Sequence, residues 1–458
     1  MYKRNNLRRP LCSLLVTLLI SACSHLPESS ESLTQAEADR QSLSHWSELD
    51  SASDASYLNE LISAPELDAL IQEALAANPD LQQTLLSLKI LQAQYRQTRA
   101  LQLPSVDAAV SADREENSDT AYTGALAISW EMDLWAKLAD ESGAAARDVA
   151  EQLALYQSAR DTLVAEVMQG WLKLINLRHT AAIESERVAV LEKNEQFIIQ
   201  RYRAGLSTLE DLDTARSSTE SARASLVAAQ ESLRQQQRAM NVLLGRPQGN
   251  TVVASDYPEV LLPLADLPEQ TLQRRPDLKA AWLAIEAAEL RTRVAYKDML
   301  PSLSLEVALT ETATSFSDAL LKDPLWSLLG QLSAPLFQGG ELKAAADAAE
   351  LTTAQRYQAY RETLLTAVQE VEDAIGQETS LAQQEAHTRL ALDSAQRTFN
   401  QYQDKYRQGL VSILDLLNVQ QQLFDLEEQL DNLTYQRLNN RIALGLALGL
   451  GIEEKDPQ

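Results

Sequence analysis

Two periodicities divide this chain. In four short stretches, apolar residues alternate with small or polar ones, the period of a strand with two unlike faces. Val106, Ala108, Val110 and Ala112 alternate with Ser105, Asp107, Ala109 and Ser111, and Leu126, Ile128, Trp130 and Met132 alternate with Ala125, Ala127, Ser129 and Glu131. Further on, Leu303, Leu305, Val307 and Leu309 alternate with Ser304, Glu306, Ala308 and Thr310, while Trp326, Leu328 and Leu332 share a face opposite Ser327, Gln331 and Ser333. This predicts strands over about 103–113, 122–134, 301–311 and 325–336, joined in pairs by the polar stretches Arg114–Ala121 and Thr312–Pro324. Each is about as long as a tilted strand that crosses a bilayer, roughly 9–11 residues.

The second periodicity is helical. No proline interrupts Ala136 to Arg203, and at 1.5 Å per residue that stretch reaches roughly 100 Å. Downstream, Leu212, Ala215, Thr219, Ala222, Leu226, Ala229, Leu233, Gln236, Met240 and Leu243 keep a strict 3, 4 spacing. So do Leu416, Val419, Leu423, Leu426, Leu430, Leu433, Arg437, Asn440, Leu444 and Ala447. Sustained heptads predict coiled-coil packing, and the small and polar seam residues suit helices wrapped around a wide tunnel.

These elements occur twice. Asn78–Ser105 and Arg275–Ser302 align without a gap at an offset of 197, sharing Pro-Asp-Leu at the start and Leu-Pro-Ser at the end. Proline and Asp in the first turn start a helix, and the later Pro104 and Pro301 stop it. Arg201–Leu212 and Lys405–Leu416 align at an offset of 204, with Tyr, Arg, Gly, Leu and Asp recurring. The expected organisation is a first repeat over 65–245, a connector over 246–268, a second repeat over 269–451 and a tail over 452–458. Each repeat runs helix, strand, loop, strand, very long helix, glycine turn, long helix. The connector, with Pro247, Pro258, Pro263 and Pro268, reads as extended chain.

The chain start has its own pattern. Lys3, Arg4, Arg8 and Arg9 precede the apolar run Leu11–Ile20, which is too short to span a bilayer as a helix and reads as a secretory signal over 1–22. Ile20-Ser21-Ala22-Cys23 resembles the lipobox of bacterial lipoproteins, in which Cys23 would carry the lipid. Residues 23–64 then read as a lipidated, largely aperiodic tether. The formal net charge of −25 argues against nucleic acid or an anionic membrane surface as main partner. Cys12 and Cys23 are the two cysteines, so the mature chain has no disulfide framework. His25, His45, His179 and His387 are scattered, without metal-ligand spacing. No nucleophile elbow, P-loop or dinucleotide fingerprint occurs, and no cofactor or enzyme activity is expected.

Four strands cannot close a membrane barrel, since known barrels start at eight, and an open sheet edge is not viable in hydrocarbon. The barrel must be shared. Two copies give eight strands and three give twelve, and the strand count alone leaves both open. A single soluble hairpin per repeat is the competing reading of the alternation. A periplasmic adaptor or a poreless coiled-coil lipoprotein are the rival functions.

The ordered set of motifs resembles the TolC-like outer-membrane efflux proteins, specifically the lipoprotein, NodT/OprM-like branch that works with RND-type pumps. The elements carrying the resemblance are Asn78-Pro79-Asp80-Leu81, Arg275-Pro276-Asp277-Leu278, Trp130-Glu131-Met132-Asp133-Leu134-Trp135, Pro335-Leu336-Phe337-Gln338-Gly339-Gly340 and the two glycine turns. It implies a mainly α fold with a membrane β-barrel: a homotrimer with a 12-stranded barrel and a 12-helix periplasmic α-barrel. The implied role is passive export across the outer membrane, driven by an inner-membrane pump through a periplasmic adaptor. By the same resemblance, the periplasmic gate falls at Tyr406, Arg407, Asp415 and Asn418, with Asp211 matching in the first repeat. The adaptor-docking turns fall at Tyr202, Arg203, Ala204, Gly205, Leu206 and Ser207 and at Gln408, Gly409, Leu410 and Val411. An acidic residue is common in the family at the position of Asn418, so the acidic ring rests on Asp415, which would accept hydrogen bonds from Arg and Tyr. The residues also support a plainer role. Ser412 with Asp415, and Thr208 with Asp211, have capping-box spacing, and the glycines suit left-handed helix stops.

Overall fold

The structure, a computed structural model, describes residues 31–42, 46, 55, 57–116, 118–263 and 268–452. The expected signal segment, Cys23 and the tail beyond residue 452 lie outside the described residues. The order is α1 (Glu31–Gln41), a 3-10 turn (Leu58–Glu60), α2 (Pro65–Ala77), α3 (Pro79–Ala100), β1 (Ser105–Asp113), β2 (Ala121–Met132), α4 (Lys137–Arg203) and α5 (Leu209–Leu243). It continues with α6 (Pro268–Arg274), α7 (Pro276–Lys297), β3 (Ser302–Ala313), β4 (Leu325–Ser333), α8 (Glu341–Arg407) and α9 (Ile413–Ala447). Equivalent helices have equal lengths: 22 residues in α3 and α7, 67 in α4 and α8, 35 in α5 and α9. The offset changes from 197 to 204 between the strands, so the second hairpin holds the inserted residues. No described helix is long and apolar enough to cross a membrane.

Two compact units divide the chain. The first contains α1, Ser87–Ala154 and Leu278–Thr363, and hence the sheet. Its four strands are antiparallel in the order β1-β2-β3-β4, so the two hairpins join through β2 and β3. The register makes the alternation of single strands coherent across the sheet. Val106 pairs Ile128, Ile128 pairs Val307, and Val307 pairs Leu328. One face therefore carries Val106, Ile128, Trp130, Leu305, Val307, Leu309, Trp326 and Leu328. The other carries Asp107, Thr123, Ser129, Glu306 and Ser327, with Leu325 and Leu329 as apolar exceptions. Every residue of β1 and β4 is exposed, and Trp326 is 75% exposed.

The strand ends are fastened to helices. Trp135 Nε1–H donates to the Pro301 carbonyl at 2.6 Å, Lys297 Nζ reaches Asp140 Oδ2 at 2.6 Å, and Asp133 accepts from the N–H groups of Leu138 and Ala139. In the longer second hairpin, Phe316 stacks edge-on against Tyr122 and the Ala319 carbonyl lies against Gly124, where only a residue without a side chain fits. Within the stretch expected to be aperiodic, Glu31–Gln41 is helical. Ala36 is its one buried residue, so the sequence lacks an apolar stripe to announce it. Tertiary contacts hold it instead: Tyr357 O–H donates to Asp39 at 2.9 Å, and the Arg40 guanidinium lies 5.8 Å from the Trp282 ring centre.

The second unit comprises Leu43–Leu86, Leu155–Asp277 and Leu364–Gln458. Its main core packs Met168, Trp171, Leu172 and Ile175 of α4 against Leu67, Leu70 and Ile71 of α2, with Leu58, Ile62, Met240, Val260 and Ile442. The connector is extended as its prolines dictate and is pinned at Val260, which bridges Ile62. Arg246 pairs with Glu73, and buried Arg275 donates to the Ala447 carbonyl and to Asp277. In α5 the buried residues are the seam residues Leu212, Ala215, Thr219, Ala222, Ala229 and Met240, with Asn241 beside them; in α9 the seam residues Leu416, Leu423, Leu433, Leu444 and Ala447 share burial with Ile413, Leu417, Gln420, Phe424, Ile442 and Gly445 off the seam.

Candidate functional site

The turns joining α4 to α5 and α8 to α9 lie in the second unit and are built alike from backbone chemistry. Gly205 and Gly409 both adopt φ +72°, a left-handed conformation that side chains disfavour. Each helix ends in the same bond pair. Leu206 N–H donates to the Arg201 carbonyl at 2.8 Å and Gly205 N–H to Tyr202 at 3.0 Å. In the second turn Leu410 reaches Lys405 at 2.9 Å and Gly409 reaches Tyr406 at 3.0 Å. This is the Schellman arrangement, which satisfies carbonyls a helix end leaves open.

The following helices start with reciprocal caps. Asp211 N–H donates to Thr208 Oγ1 at 3.1 Å, and Thr208 N–H donates back to Asp211 Oδ2 at 2.9 Å. Ser207 Oγ–H donates to the same Asp211 oxygen at 2.9 Å. In the second turn Asp415 N–H donates to Ser412 Oγ at 3.2 Å, and Asp415 Oδ2 receives Ser412 N–H at 3.0 Å and Ser412 Oγ–H at 2.6 Å. Both carboxyls are held below the usual Asp range. For Asp211 the main cause is the Thr208 backbone bond, for Asp415 the Ser412 hydroxyl. The carboxylates thus do the work of capping boxes with a short acid in the third helical position.

Side-chain packing joins the two turns. Ile198, Leu212 and Ala215 of the first hairpin cluster with Ile413, Leu416 and Leu417 of the second. Tyr406 packs at this cluster, edge-on to Phe197 with ring centres 6.0 Å apart, and the Arg201 guanidinium lies 5.8 Å from its ring centre. Burial raises the Tyr406 pKa, partly offset by Arg201. Arg201 also donates to the Leu206 carbonyl at 3.1 Å. Arg407 instead pairs with Asp404 at 3.5 Å on the surface, and Asn418 is exposed one turn beyond Asp415.

The structure therefore brings the predicted residues into two places. Asp415 is bonded to Ser412, while Tyr406 is engaged by Arg201 and Phe197. Tyr202, Arg203, Ala204, Gly205, Leu206, Gln408, Gly409 and Leu410 form exposed turn surface, with Ser207 and Val411 half-buried. Sequence reasoning passed over Phe197 and Arg201, which sit on a different helix from the tyrosine they hold. It also passed over Leu209 and Leu414, exposed apolar residues in the first turns of α5 and α9. Their signal was available: both stand off the 3, 4 seam, at the start of a solvated helix that has no need of leucine. Among the described residues, no group of three or more His, Cys, Asp or Glu is placed to hold a metal.

Comparison with known proteins fits this geometry. The family model described as outer membrane efflux protein matches twice, over residues 70–246 and 267–450. The cation efflux system protein CusC of Escherichia coli (strain K12) is 28% identical over 397 residues, covering 84% of this chain and 87% of the relative. Outer membrane protein OprJ of Pseudomonas aeruginosa is 28% identical over 478 residues, covering 98% of each. Among solved structures, a membrane protein from Pseudomonas aeruginosa superposes with a TM-score of 0.81 at 27% identity, covering 88% of this chain and 99% of that one. A crystal structure of CusC superposes with a TM-score of 0.76 at 26% identity, covering 89% and 100%. With most of its length in the matched repeats, the chain belongs to the outer membrane efflux protein family and is a passive outer-membrane conduit of a tripartite efflux system.

Proposed function

We propose that three copies of this chain close a 12-stranded barrel in the outer membrane and continue it inward as a 12-helix α-barrel. The observation that carries this reading is the sheet. One chain supplies four strands with a continuous apolar face in the open and with β1 and β4 as exposed edge strands. In hydrocarbon both edges must be paired, and copies of the same chain offer complementary edges. Cys23 is the lipid attachment point that adds acyl anchoring to the barrel.

In this trimer the paired turns form the periplasmic end. Tyr406, Arg407, Asp415 and Asn418, with Asp211, constitute the gate region. Residues 202–207 and 408–411 are the surface offered to a periplasmic adaptor, which couples the conduit to an inner-membrane pump of the RND type. The relatives' names span cations for CusC, pyoverdine for OpmQ and solvents for SrpC. One conduit fold thus serves unlike cargo, and selectivity belongs to the pump and adaptor.

The test is reconstitution. Purified protein should migrate as a heat-sensitive trimer in detergent and conduct ions in planar bilayers once Asp415→Asn weakens the gate. A water-soluble monomer that buries its alternating strands, or the absence of a pore in the variant and with adaptor bound, would refute the reading.

A further inference from the structure

Outside the turns, one titratable side chain is bonded in a way that fixes its charge. His179 of α4 has Nδ1 2.7 Å from Asp431 Oδ1 of α9 and Nε2 2.6 Å from the Ser255 carbonyl of the connector. A backbone carbonyl only accepts hydrogen bonds, and so does an ionised carboxylate. Both ring nitrogens must therefore donate, which only the imidazolium does. The other Asp431 oxygen, Oδ2, receives Asn176 Nδ2–H at 2.9 Å and Tyr257 O–H at 3.1 Å. The Tyr257 ring closes on the imidazole edge-on, with centres 5.0 Å apart.

We propose that His179 is a proton-operated latch: protonated, it clamps connector residues 255–257 onto α4 and α9, and on losing its proton it releases them. A neutral ring keeps one N–H. It then faces either the Ser255 carbonyl or the Asp431 carboxylate with a lone pair, turning one bond into a repulsion. Two other side chains also hold connector carbonyls. Asn241 holds the Gly249 carbonyl at 3.0 Å, and Arg178 holds the Val253 carbonyl at 3.3 Å.

The charged surroundings agree. Burial disfavours the cation, but the Ser255 carbonyl, Asp431 and Asp256 outweigh it, and the pKa is raised above the ordinary 6.5. Lys173 of α4 opposes from the Asp431 side. Its own pKa is lowered by burial, and its ammonium lies 4.6 Å from the Tyr435 ring centre. Asp425 and Glu428 of α9 line the same groove as Lys173 and add negative potential. A raised folded-state pKa fixes the direction: the latch is complete below about 6.5 and is lost as pH rises through the raised value. Alkaline conditions loosen the connector.

The test uses the full chain in detergent. Hydrogen exchange of the 249–257 backbone, corrected for intrinsic rates, is followed from about pH 6 to about pH 9. Wild type should lose about tenfold in protection over this range, roughly the effect of one hydrogen bond to a charged group. His179→Gln and Asp431→Asn should show the low value throughout, and His387→Gln should behave as wild type. Labelling the four histidines with nitrogen-15 gives an independent reading, with His179 assigned by its loss in the glutamine variant. Both its nitrogens should resonate as imidazolium at neutral pH. Protection that ignores pH in wild type, pH dependence that survives in His179→Gln, or a neutral tautomer at neutral pH would overturn the proposal.

Discussion

Tyr202 and Tyr406 occupy equivalent places, three residues before the glycine that ends each long helix, yet Tyr202 is 42% exposed and Tyr406 is half-buried. The backbone around them does not differ: the same left-handed glycine, the same carbonyl bonds and the same reciprocal cap occur in both turns. The difference lies in what the opposite hairpin supplies. The first long helix carries Phe197 and Arg201, where the second has Gln401 and Lys405 at the matching positions. One side offers an aromatic edge and a guanidinium plane, and the other offers no such partner, since Lys405 lies over Tyr402 of its own helix. A duplicated turn has thus kept its local chemistry while its tertiary contacts became one-sided. The one-sided contact ties the second hairpin to the first.

The sharpest way to break the comparison is to truncate each tyrosine. Tyr406→Ala loses an edge-on aromatic pair and a cation–π contact, about 1–2.5 kcal/mol together. Tyr202→Ala should stay within about 0.5 kcal/mol, the usual range for surface positions. Hydrogen exchange at the two turns measures both. A double-mutant cycle between Phe197 and Tyr406 should return a coupling of about 1 kcal/mol. Equal losses at the two tyrosines would remove the asymmetry between the turns.

Glycine replacement should sharpen it by giving the opposite pattern. A Cβ at Gly205 or Gly409 meets nothing within 4 Å. The cost of Gly205→Ala or Gly409→Ala is therefore conformational, about 1–2 kcal/mol each. It should match in the two turns to within about 0.5 kcal/mol. Unequal costs would show that the turn backbones are not equivalent.

The parts of this molecule that were legible from sequence are those decided within a few residues. Ser412 and Asp415 stand three apart, so their bond is written in the chain. Gly205 and Gly409 follow from the left-handed stop. Val106, Ile128, Val307 and Leu328 could each be assigned a face by alternation, and only the register was needed to join them. Contacts that close over long separations carry no such mark. His179 looked like a scattered histidine because Asp431 and Ser255 lie 252 and 76 positions away. The partners of Tyr406 are on another helix, and the expected bond from Tyr or Arg to Asp415 had to compete with a serine hydroxyl one turn away. The helix at Glu31–Gln41 rests on Asp39 and Arg40, polar residues that no periodicity points to.

Acid should separate the turns last and least. Asp211 and Asp415 both have folded-state pKa values lowered from 3.8. Each cap therefore contributes stability that is present above that value and is lost as pH falls through the depressed one. Their support is unequal. Asp211 takes donors from two residues, Thr208 and Ser207, and the charge of Arg201 lowers it further. Asp415 takes both its donors from Ser412, because Val411 stands where the first turn has Ser207. On acidification the α9 start should lose amide protection before the α5 start. The gap should narrow in high salt, which screens Arg201, and narrow further in Ser207→Ala. If the α5 start opened first, hydroxyl and guanidinium support would not be what distinguishes the caps, and the asymmetry of the turns would reduce to Tyr406 alone.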